Sequence, residues 1–338
     1  SYIYINSENK NEDEPEWQVG RNYQLFRYML GCNAYGSYPT KLNGGLLTCD
    51  PQFTDPGRPI TADFRNWGGG TFTAQNQRLV YFPMFKSGDL DMPKPQLDFY
   101  RRTLKSAESR SQVYRGHNGA CFAEQIDNCG LPNCTEYGWK RPEGYDPGMM
   151  YNAWLEYLWD TSLESCQMAL QLYQYNEENI SEYIPLIESC LTFLDEHHQY
   201  LAENRGTETL DENGHLILHP GSACETYKMA YNSTSAIAAL RTVAEGLLDL
   251  PDHYPSVGKR EKWHEFLQRI PPISFQESEG RRSIAPAKLW ERVNNTEAPQ
   301  LYPVYPWGIC GIGKPDIEVA VNTYKYDPDV QRNICLLY

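Results

Sequence analysis

The sequence predicts an all-α fold, a helical α/α toroid, on three observations. Apolar residues recur at intervals of three and four over several long stretches. Those stretches are separated by short turns alternating with long Gly/Pro/Asp-rich loops, an arrangement that gathers the loops at one end of a ring of hairpins. Strand signals are few and short, and nothing repeats at the fixed period of a solenoid. The 338 residues are long for one domain by the usual prior, yet barrels and toroids hold such numbers around one core.

Taken in order, residues 1–16 read as a polar N-terminal arm or linker and residues 17–338 as one domain. From Trp17 the spacing of Tyr23, Phe26, Arg27, Leu30 and Gly31 is helical. The segment from Gly36 to Gly70 has no period, and a loop of that length is usually functional. A second helix is expected over Thr73–Phe85. A third is expected over Pro95–Tyr114, with Leu97, Tyr100, Leu104 and Ala107 on one face. After irregular chain from Arg115 to Gly148, Tyr151–Tyr175 carries Trp154, Leu155, Leu158, Trp159 and Met168 at helical spacing, and Ile180–Ala202 carries Ile184, Leu186, Ile187, Leu191 and Leu194. The short link Asn176–Asn179 makes these two a hairpin. Further helices are expected over Ser235–Leu248, over 259–269 and over Pro315–Tyr324, the last with proline in its first turn.

Aromatic residues make up 13% of the chain, with 25 Tyr and 8 Trp. That level suits a groove in which sugars stack, since each buried tyrosine hydroxyl wants a partner and a plain core needs fewer of them. A formal charge of -14 argues against nucleic acid and anionic membrane as partners, because both reward clustered Lys and Arg. No run approaches the roughly 18 apolar residues of a bilayer span. Ser1-Tyr2-Ile3-Tyr4 is no signal peptide, so any export signal is expected upstream. The ten cysteines show no zinc spacing, and neither metal nor cofactor is expected. Cys129 and Cys134 share one loop and are spaced for a local disulfide, whereas Cys166 and Cys190 sit in apolar helical patterns as buried thiols.

Glu225 is the most conspicuous acid. An apolar run, Leu216-Ile217-Leu218, stops at Pro220-Gly221, and a lone carboxyl follows among small and aromatic neighbours, ahead of an expected helix. Ser222 and Thr226 are available to cap that helix, which leaves Glu225 for other work. A carboxyl in such a cleft can carry a raised pKa and donate a proton. Asp63, Glu124 and Glu297 also lie in long loops beside aromatics, although loop acids more often cap helices or bind backbone. Two carboxyls are what glycoside hydrolysis needs, one protonated to assist the leaving group and one ionised to attack or to activate water. Gln75-Asn76-Gln77-Arg78 opens the second helix, where amides can orient a water, bind sugar hydroxyls or cap the helix. The phosphate-loop and nucleophile-elbow patterns are absent. His117, His215 and His219 suit structural or substrate-contacting roles better than metal ligation.

Several stretches together resemble a known family. Tyr23-x-x-x-Arg27-Tyr28, Pro39-Thr40-Lys41-Leu42-Asn43-Gly44, Trp67-Gly68 and Gln75-Asn76 leading to Tyr81-Phe82-Pro83 are similar to the (α/α)6 catalytic domain of glycoside hydrolase family 95, the inverting 1,2-α-L-fucosidases. Ala153-Trp154-Leu155-x-x-Leu158-Trp159-Asp160, His219-Pro220-Gly221-Ser222-Ala223-Cys224-Glu225-Thr226-Tyr227 and Leu301-Tyr302-Pro303-Val304-Tyr305-Pro306 continue the likeness in order. The resemblance covers roughly Trp17 to Tyr324 and fits an uncharacterised sister family. It implies a six-hairpin glycosidase acting from the end of a glycan on a terminal α-L-fucoside, L-galactoside or similar sugar.

By position, Glu225 becomes the general acid and Asn76 one of two asparagines that hold the attacking water. The second asparagine falls on Ala74, with Gln75 or Gln77 as its replacement. Glu297 is assigned as general base by chemistry and location, with Glu124 in reserve. Trp67, Gln75, His117, Glu124, Tyr302 and Trp307 are expected to line the sugar subsite. Fewer helices are legible than six hairpins require, so the last are expected beyond Tyr338, and a periplasmic or extracellular location is implied. Two other classes stay open: a polysaccharide lyase, in which Arg78, Arg115 and Lys228 neutralise a uronate, and a non-catalytic glycan-binding protein.

Overall fold

The computed structural model describes residues 14–40, 57, 71–132, 141–146, 148–254 and 257–333. The protein is helix-rich. The helices are α1 (Pro15–Asn33), α2 (Ala74–Ser87), α3 (Lys94–Arg115), α4 (Ser162–Asn176), α5 (Ile184–Arg205), α6 (Thr234–Leu248), α7 (Val257–Arg269), α8 (Ile317–Tyr326) and α9 (Pro328–Asn333). Most begin and end within three residues of the sequence expectation. Among the described residues, no helix is long and apolar enough to cross a membrane.

The core is organised around α4, which touches α2, α3, α5 and α6; α5 also packs on α3, and α6 on α7. From Ser162 to Leu170 every residue of α4 is buried, as expected of a helix with neighbours on all sides. Leu163, Ala169 and Leu172 meet Leu186, Ile187 and Leu191 of α5 and Ile237, Leu240, Val243 and Leu247 of α6 in one cluster. Each fully buried aliphatic side chain there stabilises the fold by about 1.5–3 kcal/mol. Cys166 and Cys190 are buried in this core as free thiols. Cys129 is exposed and free, and its expected partner Cys134 lies outside the described residues.

Two differences from the sequence reading bear on function. The helix expected over Tyr151–Tyr175 begins at Ser162, and residues 151–161 form turns. The apolar spacing there mimics a helix, but Tyr157 takes a left-handed backbone with φ 62°, which a continuous helix of L-residues cannot include. The second difference lies after Glu225, where a strand follows instead of a helix. Strands β1 (Phe72–Thr73) and β2 (Gln125–Ile126) pair antiparallel. Strand β4 (Tyr227–Ser233) pairs with β3 (Gly221–Ala223), β7 (Ala287–Leu289) and β8 (Arg292–Val293), while β5 (Phe275–Ser278) and β6 (Arg281–Ile284) form a separate hairpin. These strands are too short for a period of two to show. The residue that caps α6 is Ser233, whose hydroxyl accepts from the Ala236 N–H at 3.4 Å.

Glycine explains the path of the loop after α3. Gly116 ends the helix in the left-handed region, with φ 78°. A Cβ at Gly119, φ 90°, would lie 2.2 Å from the Phe193 backbone nitrogen, so only glycine lets this loop rest on α5. The loop then delivers Phe122 to the core and Glu124 to the start of α2.

Candidate active site

Glu225 and Glu297, 72 residues apart, meet at the end of the short sheet. The Glu225 N–H donates to Glu297 Oε2 at 2.7 Å, and the Thr226 hydroxyl donates to the Glu297 carbonyl at 3.2 Å. Gln75 at the start of α2 donates its side-chain amide to Glu297 Oε1. Both oxygens of Glu297 therefore accept N–H bonds, an arrangement that favours the ionised carboxylate. Glu225 in turn accepts from Asn295 Nδ2 at 2.8 Å. A cavity of about 10 Å³, the scale of one water molecule, is lined by Gln75, Arg78, Asp160, Glu164, Cys224, Glu297, Tyr302 and Trp307 among others.

The first turn of α2 is fixed by an acid from another segment. Thr73 at its N-cap makes no side-chain cap bond; instead Glu124 accepts from the Ala74 N–H through its carbonyl at 2.9 Å and from the Gln75 N–H through Oε1 at 2.6 Å. The helix dipole and the free N–H groups make that a natural seat for a carboxyl. Glu124 Oε2 is buried with no hydrogen-bond partner among the described residues. Burial, reinforced by nearby Glu164, holds the Glu124 carboxyl well above the usual range. Glu124 thus reaches Glu297 indirectly, through Gln75.

Arg78, one turn further along α2, forms a buried ion pair with Glu164 of α4 and donates from Nη1 to the Tyr302 hydroxyl at 2.5 Å. Carboxyls nevertheless outnumber cations here. Burial pushes Glu164 up to about 7 against the pull of Arg78, and it raises Asp160 as well. Burial, then repulsion from Glu225, pushes Glu297 up to about 7. Groups that exchange protons near neutral pH are what acid–base catalysis uses.

Arg78→Met is expected to destabilise the protein by about 3–5 kcal/mol, because it leaves Glu164 buried without its counter-charge. Urea unfolding measures the loss, and the double variant with Glu164→Gln should recover part of it. Additive losses would show that the two side chains do not depend on one another.

Of the residues anticipated from sequence, Gln75, Glu297, Tyr302 and Trp307 line the cavity; Glu225 meets Glu297 through its backbone N–H without lining the cavity, and Glu124 lies behind Gln75. Asn76 is half-buried beside Gln75 and is not among the residues lining the cavity. Trp67 lies outside the described residues. The structure places His117 in a different cluster. Its Nε2 meets His197 Nδ1 at 2.7 Å, its ring packs on Phe193 and Tyr200, and burial lowers its pKa. Asp160 and Glu164 were missed by sequence reasoning as functional residues. Their signal was two acids four apart, one just before α4 and one in its first turn. Asn295, two residues before Glu297, gave none. Among the described residues, no group of three or more His, Cys, Asp or Glu side chains is arranged to hold a metal ion.

No protein-family model and no curated protein matches the sequence. Solved structures do. One is a glycosidase variant in complex with glucose, 12% identical, with a TM-score of 0.52 over 91% of this chain and 70% of that one. The wild-type form of a glycosidase gives the same values. A further glycosidase variant, also 12% identical, aligns over 94% of this chain and 71% of that one, with a TM-score of 0.51. At such identity the likeness speaks to the arrangement of the chain, and in that arrangement the protein shares the fold of these glycosidases.

Proposed function

We propose that the protein is an inverting glycoside hydrolase built on an (α/α)6 toroid, with Glu225 as general acid and Glu297 as general base. The observation that carries this reading is the seating of Glu297 between two donors, the Glu225 N–H and the Gln75 amide, at the edge of a water-sized cavity. In the reaction Glu297 takes a proton from a water molecule while the oxygen of that water attacks the anomeric carbon. The glycosidic bond breaks, and Glu225 protonates the departing oxygen. Because the water enters opposite the leaving group, configuration inverts. The packing of consecutive helices against one another is consistent with a ring of hairpins, and Gln75 supplies the amide that Ala74 cannot.

The sugar we favour is a terminal α-L-fucoside, L-galactoside or similar residue, on the sequence resemblance. Glucose bound to one of the similar glycosidases supports a hexose-sized ligand. Tyr302 and Trp307 would border its subsite, and the implied setting is the periplasm or the outside of the cell. The lyase alternative loses support: Arg78 and Lys228 are buried and bonded to protein groups, and Arg115 stacks on Trp159, so the three form no patch for a uronate.

Aryl α-L-fucosides, α-L-galactosides and α-D-glucosides, with the matching natural disaccharides, test the reading when product configuration is followed by proton NMR. The expected first product is the inverted β-anomer. A retained anomer would overturn the assignment of Glu297 as base, and products absorbing in the ultraviolet would point to elimination.

A further inference from the structure

Lys228 is fully buried on β4, between β3 and β8. Its ammonium faces four oxygens: the Trp154 carbonyl at 2.5 Å, the Ser222 hydroxyl at 2.6 Å, the Glu156 carbonyl at 3.2 Å and the Cys224 carbonyl at 3.3 Å. Two of these belong to the loop that replaces the first part of the expected helix. The other two belong to the turn that presents Glu225. The Ser222 hydroxyl donates onward to the same Cys224 carbonyl, so two donors converge on the peptide group that leads into Glu225. Cys224 has φ 52°, a left-handed backbone that a cysteine holds only when its surroundings impose it. The loop is tied to the sheet at two further points, Arg292 to Glu156 at 2.6 Å and Asn294 to the Ala153 carbonyl at 2.9 Å.

We propose that Lys228 is a positioning residue for the acid–base pair: it clasps the 154–156 loop to the Glu225 turn and places a fixed positive charge beside Glu225 and Glu297. The proposal rests on the roles given above to those two glutamates. A methionine would fill the same space without the cost of burying an ammonium, but it would take this donor from the Trp154 and Glu156 carbonyls and leave the Cys224 carbonyl with the Ser222 hydroxyl. Glu225 and Glu297 act electrostatically on the ammonium, as do Cys224, Glu156 and Asp160. Burial draws Lys228 down to about 8 against the pull of these groups, so at neutral pH it is still charged. Its charge helps to keep Glu297 ionised, against burial and Glu225.

Lys228→Met and Lys228→Arg in the full chain test this, by pH profile and by hydrogen–deuterium exchange. In Lys228→Met kcat is expected to fall by about 10²-fold. The acid limb of kcat/KM should move to higher pH, and amides in 153–157 and 224–227 should exchange faster. Lys228→Arg keeps the charge but has a planar fork that does not match four oxygens spread over two segments. Its acid limb should stay where it is in the wild type while kcat falls. A wild-type pH profile in Lys228→Met would overturn the charge effect, and unchanged exchange would overturn the clasp. If Lys228→Met does not fold, full wild-type kcat in Lys228→Arg overturns the clasp. If the wild type hydrolyses no glycoside, the functional reading fails, and exchange alone then decides whether Lys228 fastens the turn.

Discussion

Glu297→Gln is expected to lower kcat by about 10²–10⁴-fold on every glycoside the protein hydrolyses, whatever the leaving group, because water activation is needed in each case. The amide is close in size and keeps one acceptor for the Glu225 N–H or the Gln75 amide, but it has no basic oxygen. The pH dependence follows from the same residue. Burial and Glu225 raise Glu297 to about 7, and a general base must be ionised. Activity should therefore rise with pH through about 7 and be lost below it as Glu297 takes a proton. The acid limb should be missing from whatever activity the variant retains. Steady-state kinetics between pH 5 and 9 on both proteins measure this, with circular dichroism to show that the variant is folded. An acid limb that persists unchanged in Glu297→Gln would assign the base elsewhere, and Glu124 would become the next residue to test.

Glu225→Gln is the second variant with a large expected effect, and the leaving group separates it from the first. An alkyl or sugar alkoxide cannot depart unprotonated, so removal of the acid should cost about 10²–10⁴-fold on natural disaccharides. A dinitrophenolate is a stable anion that needs no proton, so hydrolysis of the corresponding aryl glycoside should fall far less. Sugar binding should be largely preserved, since glutamine can still accept from Asn295 through its carbonyl oxygen. Equal losses on both substrates would remove Glu225 from the role of acid. Sugar binding by a folded wild type with no turnover of any substrate would favour a glycan-binding protein that has kept the fold.

These expectations were legible to different degrees in the chain itself. Glu225 could be singled out because its neighbours are small, apolar or aromatic, and a lone acid placed among such residues has few structural explanations. Glu297 could be assigned as base only by chemistry and location, with Glu124 in reserve, because nothing local tells an acid which other acid it will meet. The resemblance supplied an order of motifs but left a gap at Ala74. In the structure the adjacent residue, Gln75, has its backbone fixed by Glu124 while its side chain reaches Glu297. His117 shows the reverse outcome. A histidine in a long loop suits a sugar site by composition, yet Gly116 and Gly119 turn the loop onto α5 and bring the ring to His197.

The helices were written in the sequence because a helix is a local object: residues three and four apart share a face, so α2 to α7 declare their buried sides through spacing. The same logic failed over 151–161, where apolar spacing is helical but one left-handed residue, Tyr157, and the demand of Lys228 for carbonyl partners decide otherwise. The site is a through-space object. Its members come from residues 75–78, 124, 160–164, 222–228 and 295–307, and their relation to one another exists only once α2, α4 and the short sheet have packed. Packing also sets the electrostatics, since removing Glu164 and Glu297 from water is what moves both towards 7. By itself, then, the sequence determined most of the helices and the acidic and aromatic character of the loops, and it singled out Glu225 as the acid to test. Tertiary structure alone decided which acid Glu225 meets, which amide donates to that acid and which buried lysine bonds to the turn beside them.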